Sequence, residues 1–230
     1  MRTNPGAQTP GLFDAIDAID AHPQSPPSRT PLAPGATLLR GFAAADAMAL
    51  LADLQGVLAA APLRQMVTPG GFRMSVWMTN CGALGWVSDR TGYRYDATDP
   101  DTGRRWPALP ASFLTLAMRA AAAAGFDHFE PDACLVNRYA PGARLTLHQD
   151  RNERDFSQPI VSVSLGLPAV FLFGGGSRRD PVARVPLAHG DVVVWGGPAR
   201  LRYHAVLALK EGQHVATGRC RINLTLRRAA

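Results

Sequence analysis

The chain has 230 residues, of which 47% are hydrophobic and 18% are charged, and its formal net charge is +6. These proportions are typical of one globular domain with a sizeable core and exclude a largely disordered chain. The positive charge comes almost entirely from arginine, because Lys210 is the only lysine. Either a general enrichment in arginine or an anionic partner such as nucleic acid explains this charge.

The cysteines and the N-terminus indicate where the protein resides. Cys81, Cys134 and Cys220 form no CxxC pair, which argues against a disulfide framework or a zinc motif and favours a reducing compartment. The sequence shows neither the pattern of a signal peptide nor an apolar run of the roughly 18 residues that cross a bilayer. We therefore expect a cytoplasmic protein that does not associate with membranes, and we expect a monomer.

The N-terminal part of the chain is predicted to hold a tail and then a helix. Residues 1–35 are rich in Pro, Ser and Thr, a composition that predicts a flexible tail before a single domain at 36–230. Within the tail, an apolar patch at 12–19 predicts a docked helical turn. Apolar residues then recur at helical spacing over 43–61 and stop at Pro62, which predicts a helix.

The remainder of the chain reads as a second helix among many short strands. Residues 66–108 combine turn dipeptides with aromatic residues and methionines, which is typical of β-hairpins and mobile loops. A second helix is predicted over 111–124. Strands are predicted near 133–139, 145–148, 159–165, 169–173, 183–187, 191–195, 203–207 and 220–227. Eight short strands predict a mainly β fold of the double-sheet jelly-roll type, preceded by helices.

Three residues are of the types that bind iron in a non-haem centre. His148 and Asp150 are one residue apart at the end of a predicted strand, and His204 lies in a later strand. Two imidazoles and one carboxylate form the facial triad that binds non-haem Fe(II) and leaves other positions open. An HxD pair alone is a weak signal because such pairs also arise by chance. A surface histidine is the alternative interpretation of His148.

The C-terminal segment RINLTLR has a polar face that suits a dicarboxylate. Alternate residues of a strand share a face. The polar face consists of Arg221, Asn223, Thr225 and Arg227, and the opposite face is apolar. A planar guanidinium binds a carboxylate through two hydrogen bonds, so this face favours 2-oxoglutarate as co-substrate. Asn137 and Tyr139 share a face in LVNRY and could add donors to the same carboxylate. A solvated edge strand is the alternative for RINLTLR.

Aromatic and arginine side chains are interleaved within residues 66–108. The aromatic residues are Trp86, Tyr93 and Tyr95, and the arginines are Arg73, Arg90 and Arg94. Aromatic rings stack on bases and guanidinium groups pair with phosphates, so this pattern predicts contact with nucleic acid. Packing of a hairpin onto the barrel is the alternative for some of these side chains.

A series of collinear motifs carries a family resemblance. The motifs are VTPGG, MSVxMTNCGxLGW, PDACLVNRY, NRYAPGA, LHQD, PIVSVSLG, HGDVVVWGG, the distal YH and CRINLTLR. Over about residues 60–227 the chain resembles the AlkB nucleic-acid dealkylating dioxygenases. The resemblance implies a double-stranded β-helix with a core over 130–227 and a β-hairpin nucleotide-recognition lid over 66–108. It also implies bound Fe(II), with 2-oxoglutarate and O2 as co-substrates.

The resemblance assigns roles to individual residues. The implied Fe(II) ligands are His148, Asp150 and His204, and the implied 2-oxoglutarate site consists of Asn137, Arg138, Tyr139, Arg221, Asn223 and Arg227. The implied substrate contacts are Trp86, Tyr93, Arg94, Tyr95, Asn152 and Arg178. Bacterial members of the family carry an aspartate at the position of Asn152, where it faces the base. An amide lacks the negative charge that favours a cationic base, so lesion preference is left open.

The implied activity is oxidative removal of N-alkyl groups from bases in single- or double-stranded DNA, and in RNA. Conversion of 2-oxoglutarate to succinate and carbon dioxide would accompany release of the methyl group as formaldehyde, without strand breakage. The methyl group lies on the Watson–Crick edge, so a base in a duplex must be flipped out. Two further interpretations remain: a 2-oxoglutarate hydroxylase of proteins or small molecules, and a non-catalytic jelly-roll binding protein.

Overall fold

Two antiparallel β-sheets form the framework of the structure, a computed structural model that describes residues 28–230. The strands are β1 (Ser28–Ala33), β2 (Ala36–Arg40), β3 (Trp77–Gly82), β4 (Gly85–Asp89), β5 (Gly92–Asp96), β6 (Ala133–Tyr139), β7 (Leu145–His148), β8 (Ile160–Gly166), β9 (Ala169–Phe173), β10 (Ala183–Leu187), β11 (Val192–Trp195), β12 (His204–Val206) and β13 (Arg221–Arg227), and the helices are α1 (Ala47–Ala60) and α2 (Ala111–Ala123).

The sheet order confirms the predicted jelly roll. The large sheet has the order β1-β2-β11-β8-β13-β6-β3, and the small sheet has the order β10-β9-β12-β7. The eight strands predicted from the sequence divide equally between the two sheets, with β6, β8, β11 and β13 in the large one. Strands β4 and β5 form a separate hairpin. Both predicted helices are present; α1 begins four residues later and ends one residue earlier than predicted, and α2 ends one residue earlier.

Two hydrophobic cores follow from the two faces of the large sheet. In β13, Ile222, Leu224 and Leu226 pack with α1 and α2 on the outer face. A second apolar cluster fills the space between the two sheets. All seven residues of β13 are buried, and the strand lies between β8 and β6. The alternative of a solvated edge strand is therefore wrong, and the polar face of β13 points into the interior of the jelly roll.

Two predicted boundaries are wrong. Residues 28–33, assigned to the tail over 1–35, form β1 and pair with β2, because backbone pairing and the packing of Leu32 and Ala33 order a mostly polar segment. The rest of that tail and the helical turn predicted at 12–19 lie outside the described residues. Residues 66–108 are not one lid, since β3 pairs with β6 as an edge strand of the large sheet. The separate hairpin is confined to β4 and β5.

The β4–β5 hairpin packs closely on the chain that follows it. A Cβ atom at Gly85 would overlap the indole of Trp106, so the glycine permits this approach. The Trp106 indole donates from Nε1 to the backbone oxygen of Asp96 at 3.0 Å. One face of the hairpin is thereby anchored, and the other carries Trp86 and Tyr95, which are register partners.

Within residues 28–230, the structure contains no helix with the length and apolarity that crossing a membrane demands.

The packing of β13 predicts that Leu224→Ala destabilises the protein strongly. Leu224 is fully buried between the sheet and the helices, so truncation leaves a cavity that costs about 2–5 kcal/mol. Urea unfolding measures this loss. Met48→Ala on α1 is the matched control, because Met48 is 72% exposed and its truncation changes the free energy of unfolding by about 0.5 kcal/mol or less. Equal losses in the two variants would contradict the packing described for β13.

Candidate active site

Two neighbouring strands of the small sheet bring the predicted metal ligands together. His148 ends β7, His204 begins β12, and the two are register partners in an antiparallel pair. Asp150 follows β7 after one residue and turns back towards both rings. Each of the three residues offers a ligand atom, and these atoms lie within 4.8 Å of one another. The arrangement predicted from the HxD pair and the distant histidine is therefore present in the structure.

Backbone carbonyls orient both imidazoles for metal binding. Nδ1 of His148 lies 2.7 Å from the Thr146 oxygen, and Nδ1 of His204 lies 3.1 Å from the Arg202 oxygen. A carbonyl oxygen only accepts, so each Nδ1 carries the proton and each Nε2 presents a lone pair. These Nε2 atoms lie 3.7 and 3.8 Å from the carboxylate oxygens of Asp150. Two imidazole nitrogens and a carboxylate thus converge, which is the ligand set of a non-haem iron site.

The charges of Asp150 and His204 are set by burial and by neighbouring charged groups. Burial alone would raise the pKa of Asp150, but the Arg227 guanidinium, 2.6 Å from Oδ2, holds that pKa well below its usual range. Burial and the nearby imidazole of His148 lower the pKa of His204 to about 4. At neutral pH, Asp150 is therefore ionised and His204 is neutral, which are the protonation states that metal binding requires.

A buried network connects this carboxylate to the hairpin. Arg227 donates from Nη1 to the Tyr95 hydroxyl at 3.3 Å, and that hydroxyl donates to Oε1 of Glu153 at 2.7 Å. Arg200 donates to the backbone oxygen of Asp150 at 2.8 Å and lies 3.1 Å from Oε2 of Glu153. Arg200 is only 2% exposed. No sequence pattern indicated Arg200, because this residue follows a Gly-Gly-Pro turn outside every polar strand pattern.

Arg221 fits an anionic co-substrate. The residue is 2% exposed and its Nη2 donates to Oγ of Ser164 at 2.9 Å. Its Nε and Nη1 are buried and have no hydrogen-bond partner within residues 28–230. Unsatisfied buried N–H groups are costly, so this guanidinium is poised for a carboxylate such as that of 2-oxoglutarate. The ring of Tyr139 lies 5.0 Å from the guanidinium carbon, and burial raises the pKa of its phenol to about 12, which keeps it a donor.

The other residues assigned to 2-oxoglutarate have different surroundings. Asn137 and Asn223 face the same interior, and Asn223 is held by Ser162, Val163 and Thr225. Arg227 points into the site but is paired with Asp150. Arg138 does not join the site: it lies on the opposite face of β6, with its guanidinium carbon 5.7 Å from the ring centroid of Trp77. The assignment of Arg138 is wrong because successive residues of a strand alternate between faces.

Most residues assigned to the substrate lie in the β4–β5 hairpin or contact it. Trp86 and Tyr93 are stacked, with ring centroids 5.7 Å apart and planes inclined by 14°. Trp86 donates from Nε1 to Oδ1 of Asn152 at 3.1 Å. A cavity of about 490 Å³ opens alongside and is lined in part by Tyr93, Arg94, Tyr95 and Asn152. The guanidinium of Arg94 is paired with Asp89 at 2.8 Å, which partly neutralises it.

Arg178 lies apart from the hairpin but close to the metal ligands. It is exposed and donates to the backbone oxygen of Leu147, the residue before His148, at 2.8 and 2.7 Å. Its guanidinium also lies over the ring of Tyr203. This position at the rim suits contact with a phosphate of a bound strand.

Comparison with known proteins assigns the chain to a family. A family model described as the 2OG-Fe(II) oxygenase superfamily matches residues 35–227. The alpha-ketoglutarate-dependent dioxygenase AlkB of Salmonella typhimurium is 58% identical over 92% of this chain and 98% of the relative. AlkB of Escherichia coli is 57% identical over the same shares. The chain belongs to the AlkB dioxygenases.

The AlkB likeness extends to the fold. The solved structure of OsALKBH1 has a TM-score of 0.77 and 28% identity, and the match covers 87% of this chain and 100% of that one. The family, the triad of His148, Asp150 and His204, and the two N–H groups of Arg221 that lack a partner within residues 28–230 agree with one another. This AlkB dioxygenase uses Fe(II), 2-oxoglutarate and O2.

The unsatisfied guanidinium predicts that Arg221→Ala raises the KM for 2-oxoglutarate by about 30-fold or more, because loss of a buried charged partner costs about 2–5 kcal/mol. Succinate formation at varied 2-oxoglutarate measures the effect. Arg219→Ala is the matched control, since Arg219 is exposed and pairs with Glu211 at the surface. An unchanged KM in Arg221→Ala would exclude Arg221 from the co-substrate site.

The lowered pKa of His204 predicts a pH-dependent stability of the metal-free protein. Between pH 6.5 and about 4 the unfolded chain binds a proton at His204 and the folded protein does not, so stability falls as pH falls. Urea unfolding between about pH 7 and pH 5 should show that the wild type loses about 1–2 kcal/mol more than His204→Gln. Parallel pH profiles would contradict a buried neutral His204.

Proposed function

We propose that this AlkB dioxygenase removes N-alkyl groups oxidatively from nucleic-acid bases such as N1-methyladenine and N3-methylcytosine. The observation that carries the proposal is the stacked Trp86–Tyr93 pair, which is hydrogen-bonded through Asn152 to the loop that supplies Asp150. Aromatic faces bind flat bases, and this pair lies beside the metal ligands. A base held there directs its Watson–Crick edge, which carries the alkyl group, towards the metal.

The residues of the site have separate roles in the reaction. Bound Fe(II) with 2-oxoglutarate and O2 supplies the oxidising power for a C–H bond, which no side chain provides. His148, Asp150 and His204 hold the metal, and Arg221 holds a carboxylate of the co-substrate. The Tyr95–Glu153 hydrogen bond fastens the hairpin over the site, so that water is excluded from the reacting group. Oxidation of the N-methyl carbon then permits its loss as formaldehyde, and the base is restored.

The surface charge suits a phosphate backbone. The chain has a formal net charge of +6 and exposes Arg178 at the rim of the site. Arginine contacts to phosphate give binding that weakens as salt increases. We propose single-stranded and duplex DNA as substrates, and RNA as well, because the aromatic pair reads a base and not the sugar. A duplex base must be flipped out, and alkylation lowers that cost by weakening its pairing.

A cytoplasmic location and a monomeric state remain predictions.

The test is repair of defined oligonucleotides. Purified protein with Fe(II), ascorbate and 2-oxoglutarate should convert N1-methyladenine and N3-methylcytosine into the unmodified bases, as mass spectrometry of the oligonucleotide reports. Omission of iron or 2-oxoglutarate should abolish repair. Tyr93→Ala should lower kcat/KM for the lesion by about tenfold, since stacking contributes about 1–3 kcal/mol per base, whereas Tyr93→Phe keeps the ring and the activity.

The outcomes separate two classes of enzyme. Turnover of 2-oxoglutarate without loss of any lesion would overturn the proposed function and leave a hydroxylase of proteins or small molecules. Both classes share the triad and Arg221, so only the substrate distinguishes them.

A further inference from the structure

The loop between β7 and β8 carries a metal ligand without regular structure of its own. Residues 149–159 form neither helix nor strand, and they include Asp150. The position of such a loop depends on side chains that satisfy its backbone groups. Arg227 holds the carboxylate of Asp150, but that carboxylate still moves with the main chain that bears it. A preformed metal site therefore needs a second group that holds the main chain of the loop.

The guanidinium of Arg200 holds this loop at three places. Its Nε donates to the backbone oxygen of Gln158 at 3.0 Å, and its Nη1 donates to the backbone oxygen of Asp150 at 2.8 Å. Its Nη2 lies 3.1 Å from Oε2 of Glu153. The ring of Phe156 covers the group, with its centroid 5.3 Å from the guanidinium carbon. One side chain thus contacts the loop near its beginning, in its middle and near its end.

Arg200 belongs to the segment that delivers another metal ligand. It follows the 3-10 helix Gly197–Ala199 and precedes β12, whose first residue is His204. Nδ1 of His204 lies 3.1 Å from the backbone oxygen of Arg202, so the same segment orients this imidazole. Arg200 therefore joins the loop of Asp150 to the turn that leads into His204. The separation of two ligands from different parts of the chain depends on this one connection.

The shape of the Arg200 side chain matters as much as its charge. The residue is only 2% exposed, so water cannot replace its contacts. A guanidinium offers several N–H groups in a rigid planar fork, whereas the ammonium group of lysine is a compact point charge. A lysine here would keep a positive charge opposite Glu153. It could not also donate to the backbone oxygens of Asp150 and Gln158.

We propose that Arg200 is a positioning residue that keeps Asp150 and His204 at the separation that metal binding requires. It offers no ligand atom and acts through the main chain of Asp150. Residues that orient metal ligands commonly contribute roughly ten- to a hundredfold to metal affinity or activity. The proposal concerns the metal site alone, so it does not depend on which substrate the enzyme oxidises.

The test measures metal binding by Arg200→Lys without any turnover. Co(II), a spectroscopic substitute for Fe(II), is titrated into the metal-free protein, and its absorption reports both the Kd and the ligand arrangement. The Kd for Co(II) should rise about tenfold or more, because the loop of Asp150 loses its support. The absorption spectrum of the bound Co(II) should also change, since the carboxylate no longer meets the two imidazoles in one arrangement.

Arg40→Lys is the matched control, because it makes the same change in an arginine outside the metal site. Arg40 ends β2 and donates to the backbone oxygen of Pro186 and to the carboxylate of Asp191, both at 2.7 Å. The control should lose stability, as Arg200→Lys does, and keep its Kd for Co(II) within about twofold of wild type, since distant sites act independently. An equal rise of the Kd in both variants would overturn the proposal, because general loosening of the fold would then explain it.

Urea unfolding shows whether Arg200→Lys folds. If it does not, Phe156→Leu tests the same connection, because it removes the ring over Arg200 and leaves the polar contacts in place. Its Kd for Co(II) should rise about threefold, the size expected for one cation–π contact. A Kd equal to that of wild type, in folded Arg200→Lys or otherwise in Phe156→Leu, would overturn the proposal.

Discussion

The buried ion pair between Asp150 and Arg227 connects every part of the site. Arg227 belongs to the central strand β13, Asp150 is the metal ligand beyond β7, and Tyr95 of the hairpin bonds to the same guanidinium. Burying two charges is costly and is repaid only when further hydrogen bonds satisfy them. Glu153 and Arg200 provide these bonds, so the metal ligand, the large sheet and the hairpin hold their positions together. Substitution of any one of these charged residues would leave a buried charge on its partners unpaired.

Arg221, the residue predicted to hold the co-substrate, is less completely hydrogen-bonded. Arg221 keeps two buried N–H groups without partners in the described part of the chain. Such groups cost free energy in the protein alone and become favourable when an anion arrives, because a charged hydrogen bond replaces an empty one. Burial lowers the pKa of Arg221, yet Tyr139 and the sheet hold the guanidinium in place. The proposed binding of a carboxylate at Arg221 would therefore offset a cost in stability at β13.

The hairpin depends on side chains for its position. Strands β4 and β5 share no sheet with the jelly roll, so contacts from Trp86 to Asn152 and from Tyr95 to Glu153 set where the aromatic pair lies. Both contacts reach the loop between β7 and β8. That loop therefore positions both the metal ligand Asp150 and the hairpin.

The sequence determined the jelly roll, the triad and the polar face of β13, because period-two patterns and short-range spacings report which side chains share a face. It missed β1 and the place of β3, since pairing at a sheet edge depends on strands far away in the chain. The sequence did not indicate Arg200. It also led to a wrong assignment of Arg138 to the co-substrate site, because the residues next to Arg138 in the chain were assigned there. Only the tertiary structure decided which charges meet, that the amide oxygen of Asn152 accepts from Trp86, and that two N–H groups of Arg221 have no partner within residues 28–230. These properties depend on contacts between residues tens of positions apart, and no local pattern encodes them.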